Sequence, residues 1–361
     1  MKKIQLKGLV ATVAIVSIFS ACRKDKIVPN PIDPVHTVET VGVYVLNQGD
    51  FGTMPGSLTY YNYSDKVTTA DKYLSANNTT AGIGTNDVKI YGSKMYITVD
   101  KSGVVNVVDK NTARLIKQID FNVSGVSREP RSLAFYKNNA FVTLYDGNVA
   151  VIDTASLTVS KNIPVGRNPE QMVVSNSKLY VANSGGLSFG NPDKTVSVID
   201  IATLTETKKV EVIANPGSIA ADTFGNIYVL SAGDYANIAP GMTIIDNKTD
   251  VVKTTTNALA GAYGTSIVIN GDYAYFIAAN NKVLVYNTKT QAVDKENFIT
   301  DGTVITTPFN LAYDSQSGLL FVADAKNFIG NGELVAFDVN GKRQFAVTTG
   351  HIPGAIVFLN K

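Results

Sequence analysis

The stretch LYVAN (residues 179–183), followed by VSVIDIATLTETKKVEV (residues 196–212), contains the pattern that decides the fold. A short apolar run with an aromatic residue leads to an alternating run ending in Asp, and then to a polar run. The first part occurs seven times, as VYVLN (43–47), MYITV (95–99), AFVTL (140–144), LYVAN (179–183), IYVLS (227–231), AYFIA (274–278) and LFVAD (320–324). The second part ends at Asn62, Asp109, Asp153, Asp200, Asp246, Asn287 and Asp338, at intervals of 41 to 51 residues. Strand-like repeats of this length are typical of a β-propeller.

Each repeat can be read as four strands, and the first and last repeats are complementary. The opening strand, which often follows a Pro, is missing from the first repeat. The C-terminal segment HIPGAIVFL (351–359) has the opening-strand pattern, with only Asn360 and Lys361 after it. Pairing the two ends would remove free sheet edges. We therefore predict an all-β fold over residues 41–361: a seven-bladed β-propeller of four-stranded antiparallel blades, closed by the C-terminal strand completing the first blade.

The N-terminus has the pattern of a lipoprotein signal peptide. Lys2, Lys3 and Lys7 precede 13 apolar residues (9–21), too few to span a bilayer, and then Cys22, the single cysteine. We predict a signal peptide over 1–21, lipidation at Cys22 and a Pro-rich tether over 22–40. An ordinary signal peptide with an incidental cysteine is the alternative. CRKD (22–25) partly resembles the surface-export signal of Bacteroidetes lipoproteins, which implies an outer-membrane protein exposed at the cell surface.

Composition argues against several classes of function. Removing the three lysines of the signal peptide changes the formal charge from +2 to −1, so no strong positive field favours nucleic acid. A lipidated Cys22 leaves no thiol for catalysis or metal binding, and the two histidines are His36, in the tether, and His351. We therefore predict no catalytic residues, no metal site and no cofactor.

Loop length and composition indicate where a ligand could bind. The loops between second and third strands are long in repeats one, four, five and seven: QGDFGTMPGS (48–57), SGGLSFGNPDKT (184–195), AGDYANIAPG (232–241) and AKNFIGNGE (325–333). Apolar surface beside fixed polar groups suits a binding site. The ligand-binding candidates here are the loop aromatics and the polar strand ends: Phe51, Phe189, Tyr235, Phe328, Asn47, Asn183 and Asp324. Alternatively, each aromatic is a plug beneath its own loop.

The opening turns should lie on the same face and supply six further candidates: Arg128, Arg131, Arg167, Gln171, Asn310 and His351. Three arginines in adjacent blades could clamp a carboxylate or phosphate. The alternative is that they pair with the neighbouring Glu129 and Glu170. The recurrent Asp at the end of each third strand should cap the following turn and not act in catalysis.

The repeats resemble the YVTN type of bacterial seven-bladed propellers, the YncE-like group. VYVLNQGDFG (43–52), SLTYYN (57–62), EPRSLAF (129–135) and NPEQM (168–172) are similar, more narrowly, to Bacteroidetes propeller lipoproteins that include the BtuG-type cobalamin-binding surface proteins. The resemblance implies a lipid-anchored protein that captures a small ligand, such as cobalamin or another cobamide, for a TonB-dependent outer-membrane transporter. A protein-interaction scaffold and a quinoprotein-like or lactonase-type enzyme stay open as alternatives.

Overall fold

The first blade contains both ends of the propeller. The computed structural model describes residues 38–50, 52–186, 188, 190–256, 266–278 and 280–361; Cys22, His36 and most of the expected tether lie outside them. β1 (Thr40–Asn47) pairs with β2 (Ser57–Asn62), which pairs with the two-residue β3 (Thr68–Thr69). On its other side β1 pairs antiparallel with the C-terminal strand (Pro353–Asn360), with Val45 opposite Ile356. The predicted closure is confirmed.

A short helix, α1 (Lys72–Asn77), covers the part of β2 that β3 leaves unpaired. The Asp71 carboxylate accepts hydrogen bonds from the Leu74 N–H, as the helix cap, and from the Leu58 N–H of β2. No helix in the described part of the chain has the length and apolar character that crossing a membrane requires.

The next three blades follow the predicted order from the innermost to the outermost strand. Blade 2 consists of β4 (Thr85–Tyr91), β5 (Lys94–Val99), β6 (Val104–Asp109) and β7 (Leu115–Asp120), and the hairpin β8 (Asn122–Val123) and β9 (Val126–Ser127) follows it. Blade 3 consists of β10 (Pro130–Tyr136), β11 (Asn139–Leu144), β12 (Asn148–Asp153) and β13 (Thr158–Pro164). Blade 4 consists of β14 (Pro169–Ser175), β15 (Lys178–Asn183), β16 (Thr195–Asp200) and β17 (Thr205–Glu211).

The last three blades repeat this order, and the closing strand follows them. Blade 5 consists of β18 (Pro216–Ala221), β19 (Asn226–Ser231), β20 (Gly241–Asp246) and β21 (Val251–Thr256), and blade 6 of β22 (Ile267–Asn270), β23 (Tyr273–Ile277), β24 (Val283–Asn287) and β25 (Ala292–Lys295). Blade 7 consists of β26 (Pro308–Asp314), β27 (Leu319–Asp324), β28 (Asn331–Phe337) and β29 (Arg343–His351). The closing strand of blade 1, β30 (Pro353–Asn360), comes last. The fold is therefore the predicted seven-bladed propeller.

The core lies between neighbouring blades, which explains why the central strands are apolar on both faces. One cluster, for example, joins Phe141 and Val151 of blade 3 to Leu179, Val181 and Ile199 of blade 4, all completely buried. The outermost strands face solvent on one side and keep their charged residues there, as in TETKKVE of β17.

The turns after the third strands are capped as predicted. Asp153 Oδ1 accepts hydrogen bonds from the N–H groups of Ala155 and Ser156 and from the Ser156 hydroxyl. The same arrangement recurs at Asp109, Asp200 and Asp246. These aspartates are turn caps spread over different blades and do not form a catalytic array. We call the side of the propeller on which they lie the turn face.

Candidate functional site

The opposite side, which we call the loop face, carries the opening turns together with the loops between second and third strands. Backbone hydrogen bonds join the two in blades 1 to 5 and in blade 7. The N–H of Gln48 donates to the Ile352 carbonyl at 2.8 Å, and the N–H of Ala232 donates to the Asn215 carbonyl at 2.9 Å. The long loops span 48–56, 184–194, 232–240 and 325–330. Because backbone bonds fix their first residues, these loops begin from rigid positions.

The polar strand ends Asn47, Asn183 and Asp324 are buried and bonded inside their own blades. Asn183 Nδ2 donates to the hydroxyl oxygens of Thr195 and Ser197, and Asn183 Oδ1 accepts from the Gly166 N–H. Asn47 is fully buried, and its Nδ2 donates to the hydroxyl oxygens of Ser57 and Thr59.

The Asp324 carboxylate accepts from the N–H groups of Thr306, Thr307 and Lys326 at 2.8–3.0 Å. At this strand end the carboxylate ties an opening turn to the loop beside it. Buried polar groups of this kind position the loops, and their side chains do not form part of the exposed surface.

The three candidate arginines do not form a common anion clamp. Arg131 reaches Asp100 Oδ2 at 2.9 Å and Glu170 Oε2 at 3.0 Å, and its guanidinium lies 4.7 Å from the centre of the Tyr145 ring. Arg128 pairs with Asp146 at 2.6 Å. The contacts of Arg131 therefore match the alternative, in which the arginine pairs with Glu170. Arg128 is also paired, but with Asp146.

Asp100 is the most deeply buried carboxylate of this group. Burial raises the pKa of Asp100, and the neighbouring Arg131 opposes that shift in part. Sequence reasoning missed Asp100 because it lies in a short loop, outside the opening turns. The third candidate arginine, Arg167, is exposed and donates from Nη2 to the Asn191 carbonyl. It lies beside loop 184–194, the longest of the four long loops.

Gln171 and Asn310 lie at one equivalent position of the innermost strands, and the side chain at this position connects one blade to the next in some blades. A bulge after the strand's first residue releases the next N–H groups from the ladder. Gln171 Oε1 accepts from the Ile219 N–H of the next blade at 3.4 Å, and Asp87 Oδ2 accepts from the Leu133 N–H at 2.9 Å. Asn310 Oδ1 accepts from the N–H of Leu311 in its own blade. Sequence reasoning missed Asp87 in this role.

Two candidate aromatics are well exposed on the loop face. Tyr235 is 58% exposed and Phe328 is 46% exposed. Both have a left-handed backbone, with φ of 60° and 59°. Phe328 also contacts Phe309 of the innermost strand β26, with ring centres 6.0 Å apart. Phe51 and Phe189 lie outside the described residues.

His351, the last residue of β29, is half-buried at the edge of the loop face. Its Nδ1 lies 2.9 Å from the Gly330 carbonyl, at the end of loop 325–330. Among the described residues no group of three or more His, Cys, Asp and Glu side chains is placed to hold a metal ion.

A shallow pocket lies between the long loops of blades 4 and 5. Its walls include Gly186, Gly190 and Pro192 from one loop, and Asp234 and Tyr235 from the other. Asp234 Oδ1 accepts from the N–H groups of Ala236, Asn237 and Ile238. These bonds, led by that of Ile238, hold the pKa of Asp234 below its usual value. Of the predicted candidates, the structure brings Tyr235 to this pocket and Phe328 into contact with Phe309 on the innermost strand of blade 7.

Two of three comparisons with known proteins found matches. A family model described as "Domain of unknown function (DUF5074)" matches residues 41–121, the first two blades. No curated protein matches this chain.

Three solved structures are similar in fold. Kuenenia stuttgartiensis hydrazine synthase is 16% identical, with a TM-score of 0.63 over 75% of this chain and 88% of that one. A quinonprotein alcohol dehydrogenase-like protein from Bacteroides thetaiotaomicron VPI-5482 is 19% identical, with a TM-score of 0.64 over 88% and 78%. The computationally designed Ika8 protein is 11% identical, with a TM-score of 0.58 over 89% and 93%. At these identities the likeness concerns the fold alone, and the chain is a β-propeller that shares this fold with proteins as different as a hydrazine synthase and a designed protein.

Proposed function

We propose that this protein is a non-enzymatic binding protein that captures a small ligand on the loop face. The observation that carries the proposal is the pair of exposed aromatic side chains, Tyr235 and Phe328, held by left-handed backbone on two long loops. A bulky residue in this conformation costs about 1–2 kcal/mol. Burial of these rings does not offset that cost, because about half of each remains exposed. The exposed rings form apolar surface on loops, where binding residues are concentrated in proteins.

The positions of the two rings suit a wide ligand. Tyr235 belongs to blade 5 and Phe328 to blade 7, so the rings lie on different sectors of the loop face. Phe309 extends the apolar surface from Phe328 to the innermost strand of its blade. Polar groups lie on the loop face in blades 2 to 4, where Arg131 pairs with Asp100 and Glu170. A bulky amphipathic molecule such as a cobamide matches this division, and we propose it as the ligand class.

The proposed membrane anchor is compatible with an accessible loop face. β1 begins at Thr40 on the turn face, which is the side opposite the long loops. In our proposal Cys22 is lipidated in the outer membrane, at the cell surface, and the captured ligand passes to a TonB-dependent transporter.

A second candidate function, docking of a partner protein, is favoured by exposed aliphatic residues on the same face. Val304 is 82% exposed, Ile329 is 81% exposed and Val126, in the β8–β9 hairpin, is 70% exposed. A partner protein that covers the loop face would remove these apolar side chains from water. An enzymatic function is the third candidate: the quinonprotein-like structure shares the fold, which by itself assigns no activity.

Isothermal titration of the intact protein with cobalamin tests the leading proposal. We expect saturable heat, and affinity reduced at least about tenfold in Tyr235→Ala and in Phe328→Ala. Phe224→Ala is the matched control, because Phe224 is 48% exposed but lies in the β18–β19 turn on the turn face. Absence of heat and of any thermal shift at micromolar ligand would refute the cobamide assignment. An equal loss of affinity in the Phe224 variant would refute the assignment to the loop face.

A further inference from the structure

We propose that Asn270, in the β22–β23 turn of blade 6, is a site of spontaneous deamidation. The chain contains three Asn-Gly pairs, at Asn270, Asn331 and Asn340, and the fold leaves the first of them reactive while it protects the other two. The Asn270 turn lies on the turn face, where the Thr288 N–H of the neighbouring turn donates to the Asp272 carbonyl at 2.8 Å. Reaction at this turn is therefore independent of the binding proposed for the loop face.

The reaction needs a backbone nitrogen that can reach the side-chain carbonyl carbon of the preceding Asn. The Gly nitrogen gives its proton to hydroxide and attacks the Asn Cγ, and the side-chain nitrogen leaves as ammonia, so that a five-membered succinimide closes. Water then opens this ring at either carbonyl and yields aspartate or isoaspartate. Glycine favours the attack because it has no Cβ that hinders the approach. A Gly N–H that donates a hydrogen bond is held in place, and ring closure must first break that bond.

At Asn270 the reacting groups are free. Asn270 pairs with Tyr273 across a two-residue turn, and Gly271, the first turn residue, has a φ of 57°. Glycine at this place is typical of a type II′ hairpin turn. Neither the Gly271 N–H nor the Asn270 side-chain amide has a hydrogen-bond partner among the described residues. A Cβ added at Gly271 would meet no atom within 4 Å, so the turn stands in open space.

The other two Asn-Gly pairs are held by the fold. The Gly341 N–H donates to the Asp338 carbonyl at 2.9 Å, and a Cβ added at Gly341 would clash with the Phe298 carbonyl oxygen. Gly332 is buried in β28, which pairs with a strand on each side, and a Cβ there would meet the Pro353 ring. Ring closure at either pair must therefore disrupt a turn bond or a paired strand, whereas closure at Asn270 disrupts neither.

The product should weaken the hairpin in which it forms. Isoaspartate inserts a methylene group into the backbone directly before Gly271, which moves the pairing with Tyr273 out of register. The strands β22 and β25 have only four residues each, so blade 6 has little pairing to lose. The new carboxylate also lies two residues from Asp272, whose own charge pairs with Lys289 at 2.7 Å.

Incubation of the intact protein at pH 8, followed by peptide mapping with mass spectrometry, tests the assignment. We expect the peptide with Asn270 to acquire the mass change of deamidation at least about tenfold faster than the peptides with Asn331 and Asn340. The same measurement in guanidinium is the matched control. In the unfolded chain all three pairs should react at similar rates, because they share the Asn-Gly sequence and differ only in their folded surroundings.

Each outcome decides for or against the site. Folded-state rates at Asn331 or Asn340 equal to that at Asn270 would overturn the assignment. An unmodified Asn270 in the folded protein, under conditions in which the unfolded chain reacts, would overturn it as well.

The Asn270→Gln variant tests the effect on blade 6, because its longer side chain does not form the five-membered ring. After identical incubation, the guanidinium midpoint should fall in the wild type and stay unchanged in Asn270→Gln. Equal falls in both proteins would show that the loss of stability has another origin.

Discussion

Two buried tyrosines at equivalent positions provide a sharp test of how neighbouring blades are held together. Tyr180 of β15 and Tyr96 of β5 are both fully buried. Tyr180 Oη lies 2.6 Å from Asp250 Oδ1 and 3.1 Å from the Asn247 carbonyl oxygen, both in the next blade. Tyr96 Oη has no hydrogen-bond partner among the described residues. The same substitution, Tyr to Phe, therefore removes an inter-blade hydrogen bond in one case and an unpaired buried hydroxyl in the other.

The contacts determine the size and sign of the two effects. A hydrogen bond to a charged group contributes about 1.5–3 kcal/mol. Lys178 Nζ stays 2.7 Å from Asp250 Oδ2 after the change and keeps that carboxylate paired, so we expect Tyr180→Phe to cost about 1.5–2 kcal/mol. Removing the Tyr96 hydroxyl relieves an uncompensated desolvation, so Tyr96→Phe should be neutral or stabilising by up to about 1 kcal/mol. Each ring is retained, which leaves the packing between blades the same.

Guanidinium unfolding at pH 7, followed by circular dichroism, measures both variants against the wild type. We expect a lower midpoint for Tyr180→Phe and an unchanged or higher midpoint for Tyr96→Phe, with equal slopes. Equal destabilisation by the two changes would show that the rings matter and the hydroxyl contacts do not. That result would refute the reasoning.

Three further predictions address the charged cluster, the turn caps and the closure of the ring. Arg131→Leu should lower the free energy of unfolding by about 3 kcal/mol at pH 7, because it leaves Asp100 and Glu170 uncompensated, and it should lower that free energy by less at pH 5. Arg167→Leu, at an exposed site, is the control and should change the free energy of unfolding by under about 0.5 kcal/mol. Hydrogen bonds from the Thr203 N–H and hydroxyl lower the pKa of Asp200, so the Asp200 carboxylate contributes fully to stability above about pH 4 and loses that contribution as the pH falls through its folded-state pKa. In an acid titration, the stability of Asp200→Asn should therefore fall less steeply with pH than that of the wild type. Deletion of residues 353–361 removes β30 and exposes the edge of β1, so the product should aggregate, as light scattering would show, whereas deletion of Lys361 alone should not.

The repeat pattern was sufficient to predict the fold because each blade contains the same local information. The alternation in VSVID and the aromatic in LYVAN place strands, and the missing first strand with its C-terminal complement predicts the closure. The turn-face aspartates were also predictable, since their hydrogen bonds are local in sequence. Contacts between blades were harder to predict, because nothing near Arg131 in the sequence indicates that Asp100, 31 residues earlier, lies beside it.

The candidate site was only partly predictable for a related reason. The sequence placed Tyr235 and Phe328 on long loops, and the structure adds their left-handed backbone and exposure. For Asn47 and Asn183 the polar character at a strand end suggested ligand contact. Their partners, however, are hydroxyl groups on the adjacent third strand, and this packing depends on the register of pairing.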